Sequence, residues 1–323
     1  EPYRRQRQMC IRDRFKSAAF TKIILGLKST LHALFVERGV SVFHYNTWAP
    51  ALVASYIPPL FGKKVLMQNH GLEWKRTKYS DKQKKKMKLM EEISAKTHKH
   101  WTLVSQEQTD FFCSEYNRVG VTIPCAVRIP EEDCKSDILE KYGLKGNDYF
   151  LYMGRLVQEK NPLHLIEGFI QSGISDKKLV ICGNNPHITE YEQSLYEMAK
   201  DNTNIIFTGA IFGEDKDVIY RNCFAFCIPS TLEGLPMSLL EAMSYKKIVL
   251  ASDIPSCREA LGDSGVWVPY EDSKAIADAL QKINSNYDEL KWQEDANYNR
   301  VKDHFSWDNT TRLYIEFTSS FVK

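Results

Sequence analysis

From Tyr149 onward, short apolar runs alternate with helical patterns, and this alternation leaves the chain few folds to choose from. Strand-length runs fall at Tyr149–Gly154, Lys178–Gly183, Asn204–Gly209, Cys223–Ile228, Lys247–Ser252 and Gly265–Val268. Helical spacing marks Leu163–Ser172, Ile188–Lys200, Lys216–Asn222, Pro236–Tyr245 and Ser273–Asn284 between them. Such strict βα alternation predicts an α/β fold, a parallel sheet covered by helices on both faces. Ligands of these sheets bind beyond the carboxyl ends of the strands. Polar or glycine-containing turns stand at those ends: Gly154-Arg155, Gly183-Asn184, Gly209-Ala210 and the loop through Glu233.

The first half has fewer strand-like runs, at Val40–Tyr45, Lys64–Asn69, Trp101–Ser105 and Val121–Pro124. A chain of 323 residues is long enough for two domains. Residues 1–130 hold 23 Lys and Arg against 10 Asp and Glu, whereas residues 131–323 hold 20 against 31. The near-neutral total therefore hides two electrostatically different bodies, with a boundary expected near residues 130–146.

The segment from Pro229 to Met243, Pro-Ser-Thr-Leu-Glu-Gly-Leu-Pro-Met-Ser-Leu-Leu-Glu-Ala-Met, sets Glu233 and Glu241 around a helix start. Pro236 suits the first helical position, where its fixed φ helps and its missing N–H is not needed. The unpaired amides and positive dipole end of such a helix attract an anion. Glu241 follows about five residues later, roughly 7 to 8 Å along the axis. One acid thus stands at the anion site and the other about a diphosphate's length away, which suits a sugar–diphosphate–nucleoside. The alternative is an ordinary αβ corner with solvated acids. Upstream, Gly154-Arg155-Leu-Val-Gln-Glu-Lys160 places two cations just past a strand end. Arginine offers bidentate bonds to phosphate oxygens and lysine a mobile charge; the alternative is a pair of exposed loop cations.

Together, Gly154-Arg155-x4-Lys160 and Glu233-Gly-Leu-Pro-x4-Glu241-Ala-Met resemble the retaining family-4 glycosyltransferases over about residues 15–323. That resemblance implies the GT-B fold, two Rossmann-like domains facing a cleft. Asn69-His70-Gly-Leu-Glu-Trp-Lys-Arg76 further resembles a bacterial subgroup that builds surface polysaccharides, rhamnosyltransferases included. By resemblance, Arg155 and Lys160 neutralise a departing nucleoside diphosphate, so no metal or other cofactor is expected. Glu233 and the backbone of Gly234 and Leu235 hold the donor sugar and its phosphate, with Gly154, Pro236 and Met237 in the same site. Glu241 takes the ribose hydroxyls, Ala210-Ile211 lie by the base, and His70 reaches the donor sugar from the first domain. The implied reaction moves a hexosyl or deoxyhexosyl unit from a UDP- or dTDP-linked sugar to a saccharide or lipid-linked acceptor, with retention of configuration. Other readings are a non-catalytic nucleotide-sugar-binding relative and a GT-B nucleotide-sugar epimerase.

Three departures from the family pattern stand out. No glycine-rich loop follows a first strand, Cys125-Ala-Val127 replaces a common Asn-Gly-Val, and Lys246 stands where glycine is frequent. Residues 4–14 resemble a translated sequencing-adapter read-through, so residues 1–14 are expected to be non-native and the first domain incomplete. Turnover by this chain alone is then not expected. The expected organisation is a partial first domain over 15–140, a nucleotide-sugar-binding domain over 146–306, and a helix over 307–323 packing back on the first.

Other function classes receive less support. No apolar run reaches the roughly 20 residues that span a bilayer, and the absence of a secretory signal makes a cytoplasmic location the expectation. The eight cysteines show no paired spacing and read as reduced core thiols rather than a zinc site. No aromatic-and-basic motif supports nucleic acid. The basic stretch Lys75–Lys99, with Lys82, Lys84, Lys85, Lys86 and Lys88 above a Met87, Met90, Ile93 stripe, is either a solvated helix face or a peripheral contact with an anionic membrane.

Overall fold

The computed structural model describes residues 18–47, 51, 53–77, 79–130, 136–185 and 188–322. The basic segment expected to be non-native lies outside them, as do Cys10 and Cys134. Two compact units emerge: one runs to Ile123 and takes the chain back from Leu313, and the other spans Pro124–Arg312.

In the first unit, a parallel sheet has the order β1 (Val42–Tyr45), β2 (Lys64–Asn69), β3 (His100–Leu103) and β4 (Val121–Thr122). Helix α1 (Ala18–Phe35) precedes β1, α2 (Asp81–Thr97) joins β2 to β3, and α3 (Gln106–Tyr116) joins β3 to β4. α2 opens with a capping box: the Ser80 hydroxyl accepts from the Gln83 amide, and the Gln83 side chain accepts from the Ser80 amide. The expected apolar stripe beneath the lysines of α2 does not form. Met87 and Met90 pack against the core around Trp101 and Leu103, and only Ile93 of the three stands exposed. Met87, one helical turn before buried Glu91 and two before buried Ala95, shares their inward face.

The second unit contains a six-stranded parallel sheet in the order β10-β9-β8-β5-β6-β7. Its strands are β5 (Tyr149–Met153), β6 (Lys178–Cys182), β7 (Ile205–Gly209), β8 (Ala225–Ile228), β9 (Ile248–Ser252) and β10 (Val266–Val268). Helices α4 (Ile138–Lys141), α5 (Pro162–Ser172), α6 (Glu190–Ala199), α7 (Gly213–Asn222), α8 (Met237–Ser244), α9 (Pro255–Leu261) and α10 (Ser273–Ser285) alternate with them. The central strands are apolar at successive positions because helices cover both faces. Helices α5 and α10 pack closely, since a Cβ on Gly168 would lie 2.6 Å from Ile276 Cγ2. Three helices follow, α11 (Tyr287–Leu290), α12 (Trp292–His304) and α13 (Trp307–Ser319). Sequence periodicity passed over α4, α9, α11 and α12; the first three run to at most about two turns, and α12 is largely polar with Gln293, Asn297 and Val301 buried.

The units divide at Ile123/Pro124 rather than near residues 130–146, because the connecting chain is bonded to the second unit. Val127 forms a parallel bridge with Ser306, Arg128 bonds Asp217, and the Thr310 hydroxyl donates to the Pro124 carbonyl. α13 straddles the other division. Its end lies on the first sheet: Tyr314 meets His44, and Phe321 stacks on His100 with centroids 3.9 Å apart.

Cys182, Cys223, Cys227 and Cys257 are buried, as expected of core thiols, and burial pushes all four up in pKa, Cys223 to about 11 and Cys182 to about 12. Cys113 departs from that expectation and is exposed on α3.

Candidate functional site

The strand order reverses beside β5, whose neighbours are β6 on one side and β8 on the other. β5 and β8 pair only over Phe150–Ala225 and Leu151–Phe226 before their carboxyl ends diverge. A crevice at such a switch point is where doubly wound sheets bind ligands. The two segments flanking it are Gly154–Asn161 after β5 and Pro229–Pro236 after β8.

These loops are stitched together by backbone and side-chain bonds. The Thr231 amide donates to the Glu159 carbonyl at 2.9 Å, and Asn161 Nδ2 to the Pro229 carbonyl at 3.1 Å. Asn161 ends the Gln158–Lys160 turn at φ +54, a conformation asparagine tolerates, and Pro162 then opens α5. The Tyr152 hydroxyl holds the Arg155 carbonyl at 2.8 Å, and Asn185 Nδ2 holds that of Leu156 at 2.7 Å. Gly183 is required here, because a Cβ would lie 1.8 Å from the Gly154 carbonyl oxygen.

Within this frame Lys160 and Glu233 meet. Lys160 Nζ lies 2.5 and 2.7 Å from the two Glu233 oxygens, and the Ser230 hydroxyl donates to Oε1 at 2.7 Å. The Glu233 side chain is 7% exposed and that of Lys160 22%. Arg155 is about half exposed, with its guanidinium 3.9 Å from Glu159. An ammonium with three donors, two of them directed at Glu233, keeps one for a further anion.

Pro236 sits one position earlier than its expected first helical place. Its ψ of 102° is extended, so it is the N-cap, and its carbonyl accepts from Leu239 and Leu240 at 3.1 and 3.2 Å. Met237 begins α8, so the first helical amides belong to Met237 and Ser238. Gly234 lies between the corner and this start, and Leu235 is buried beneath it. Glu241 occupies the fifth position of α8 and is already engaged: Lys216 Nζ on α7 lies 2.8 Å from its Oε1. Ala210 and Ile211 follow Gly209, which turns the chain at φ +70 where β7 ends.

His70 belongs to the first unit, directly after β2, and desolvation lowers its imidazole pKa. The segment that carries it is anchored by Glu91 of α2, which is fully buried. Glu91 accepts from Trp74 Nε1 at 3.1 Å, the Tyr116 hydroxyl at 3.0 Å and Asn69 Nδ2 at 3.5 Å. All other candidate residues lie in the second unit. Sequence reasoning missed Glu91, Asn161, Asn185, Lys216 and Ser230. Only Ser230, three residues before Glu233 in the same loop, carried a local signal; the others act on partners far along the chain.

The family model described as glycosyl transferases group 1 matches residues 135–300, a span holding every candidate residue except His70. The O-antigen chain mannosyltransferase RfbU of Salmonella typhimurium is 25% identical over 234 residues, 72% of this chain and 62% of that protein. The chain spans only 47% and 48% of two further curated relatives. Among solved structures, sucrose-phosphate synthase from Thermosynechococcus elongatus aligns with a TM-score of 0.79 at 18% identity, covering 94% of this chain and 80% of that one. HepE from Anabaena, solved with UDP-glucose, aligns with a TM-score of 0.79 at 15% identity over 92% and 82% of the two chains. The fold is therefore that of the GT-B glycosyltransferases.

Proposed function

The chain belongs to the glycosyl transferases group 1 family, and we propose that it moves a hexosyl or deoxyhexosyl unit from a nucleoside-diphosphate sugar to a saccharide or lipid-linked acceptor, with retention, in surface polysaccharide synthesis. The observation that carries this reading is the closed cluster of Lys160, Glu233 and Ser230 at the switch point, with Arg155 in the same loop as Lys160 and α8 starting four residues after Glu233. In the donor complex, Arg155 and the remaining Lys160 donor take the diphosphate oxygens. The Met237 and Ser238 amides add the dipole end of α8. Glu233, tied to Lys160, accepts from sugar hydroxyls, and Glu241 accepts from the ribose.

Transfer then proceeds by cleavage of the anomeric carbon–oxygen bond, both electrons leaving with the phosphate. The acceptor oxygen attacks the same face, and its proton passes to the departing phosphate oxygen. The residues contribute position and charge stabilisation. The mannosyltransferase relatives and the UDP-bound structures support this reading.

Titration of the chain with UDP, GDP and dTDP tests it. At one hundred times Kd, bound nucleotide should add about 2.7 kcal/mol of stability, and Lys160→Ala should abolish that gain. Absence of stabilisation by all three would remove the donor-site assignment. Peripheral contact with anionic lipid would rest on the exposed Lys82, Lys85 and Lys86, with Leu89 and Ile93 exposed on the same helix. The lysines supply most of the attraction, and sedimentation with phosphatidylserine vesicles should weaken strongly at high salt; no sedimentation at low salt ends that part of the proposal.

A further inference from the structure

Glu241 and Lys216 form a pair whose use is poorly explained by stability. The 2.8 Å contact joins side chains 27% and 30% exposed, a setting in which an ion pair contributes little. Yet Lys216 is held in place from both sides. Its neighbour Asp215 is bonded by the Ser136 hydroxyl, and Asp217 by Arg128 and, at 2.6 Å, by the Tyr245 hydroxyl. One turn further along α7, the hydroxyl of the buried Tyr220 donates to the Ser238 carbonyl of α8 at 3.2 Å. α7 is thus fixed against α8, with the ammonium presented at the carboxylate.

The pair has a defined unused capacity. A carboxylate offers about four acceptor positions and an ammonium three donors, and one bond between them leaves both with spare partners side by side. A single hydroxyl supplies one donor, which a free position of the carboxylate takes. Two neighbouring hydroxyls use both partners, because one donates to Glu241 while the oxygen of the other accepts from Lys216.

We propose that Lys216 is a specificity-determining residue: with Glu241 it reads the 2′- and 3′-hydroxyls together, selecting a ribonucleoside diphosphate sugar over a 2′-deoxy one. This rests on the donor-site reading above and deepens it, since it decides against dTDP-linked donors. A 2′-deoxynucleotide lacks the acceptor for the spare Lys216 donor, and losing that charge-assisted hydrogen bond lowers affinity by roughly tenfold to a hundredfold.

The test is calorimetric titration of the full chain with UDP, dUDP, GDP and dGDP, so that each comparison holds the base constant. The wild type should bind the ribonucleotide of at least one pair ten times or more tighter than its deoxy form. Lys216→Met should bring the two within about threefold, and Lys216→Arg, which keeps donors, should preserve most of the discrimination. Equal binding of ribo and deoxy forms by the wild type overturns the proposal, as does discrimination unchanged in Lys216→Met; in both cases the donor site itself stands. Binding of none of the four nucleotides removes the donor site and the proposal together. If Lys216→Met does not fold, Lys216→Leu is titrated in its place and judged by the same threefold criterion.

Discussion

Replacing Lys160 by methionine should unbalance the second unit more than replacing its partner. Glu233 is 7% exposed and accepts from Lys160 at 2.5 and 2.7 Å and from Ser230 at 2.7 Å. Methionine keeps most of the alkyl stem but leaves the carboxylate with the Ser230 hydroxyl alone. Breaking a fully buried pair costs about 3–5 kcal/mol. Because the Lys160 side chain is 22% exposed, water can reach part of the gap, and the cost falls to about 2–4 kcal/mol. For a unit of this size that corresponds to a melting temperature lower by roughly 5–15 °C. Glu233→Gln should cost less, about 1 kcal/mol, since the more exposed ammonium can turn to solvent while the amide oxygen still accepts. The double change Lys160→Met with Glu233→Leu removes both charges and should return to within about 1 kcal/mol of the wild type. Calorimetric melts of Lys160→Met, Glu233→Leu and the double variant close a double-mutant cycle, and UDP titration separates the two roles: the double variant regains stability without nucleotide affinity. A Lys160→Met protein that melts within 1 °C of the wild type, or a larger loss in Glu233→Gln, would refute the burial argument.

Lys246 follows α8 at φ +56, so Lys246→Gly should relieve left-handed strain by about 1 kcal/mol. The exposed Asp295 pair and the Tyr298 contact offset part of this, and a urea midpoint at or below that of the wild type would count against it. Glu91→Leu should strand the buried donors of Trp74, Tyr116 and Asn69 and cost more than about 3 kcal/mol by urea unfolding; a change under 1 kcal/mol would mean these donors find other partners. His44, His70, His98 and His100 all have lowered pKa values, with desolvation the largest cause in each. Near and below about pH 6.5 the unfolded chain binds protons that the native imidazoles resist, so stability should fall as pH drops through that range. Melting temperatures at pH 7.5, 6.5 and 5.5 check the sign, and a rise on acidification contradicts it.

All six strands of the second sheet are legible from apolar runs ending at glycine or proline turns, because burial on both faces leaves an uninterrupted hydrophobic signal. The shorter β4 and the polar helix α12 give weaker local signals. Lys160 and Glu233 were both identifiable by type and context, yet nothing between residues 160 and 233 announces that their side chains bond. The same holds for Lys216 and Glu241, which sit on different helices, and for Glu91 beneath the His70 segment. The lysine-bearing helix shows the opposite error. A 3.6-residue period gives Met87 and Met90 a common face, but only the sheet decides that this face is the core.

Sequence alone therefore determined the alternating architecture, the family pattern and the chemical types at the switch point, since these depend on local periodicity and on residues close along the chain. Tertiary structure decided the pairings: which cation meets which carboxylate, that Pro236 caps the helix instead of starting it, and that the connecting chain belongs to the second unit. Those outcomes are set by strand order and by loops brought within hydrogen-bond distance, over separations of tens of residues that leave no periodic trace in the chain.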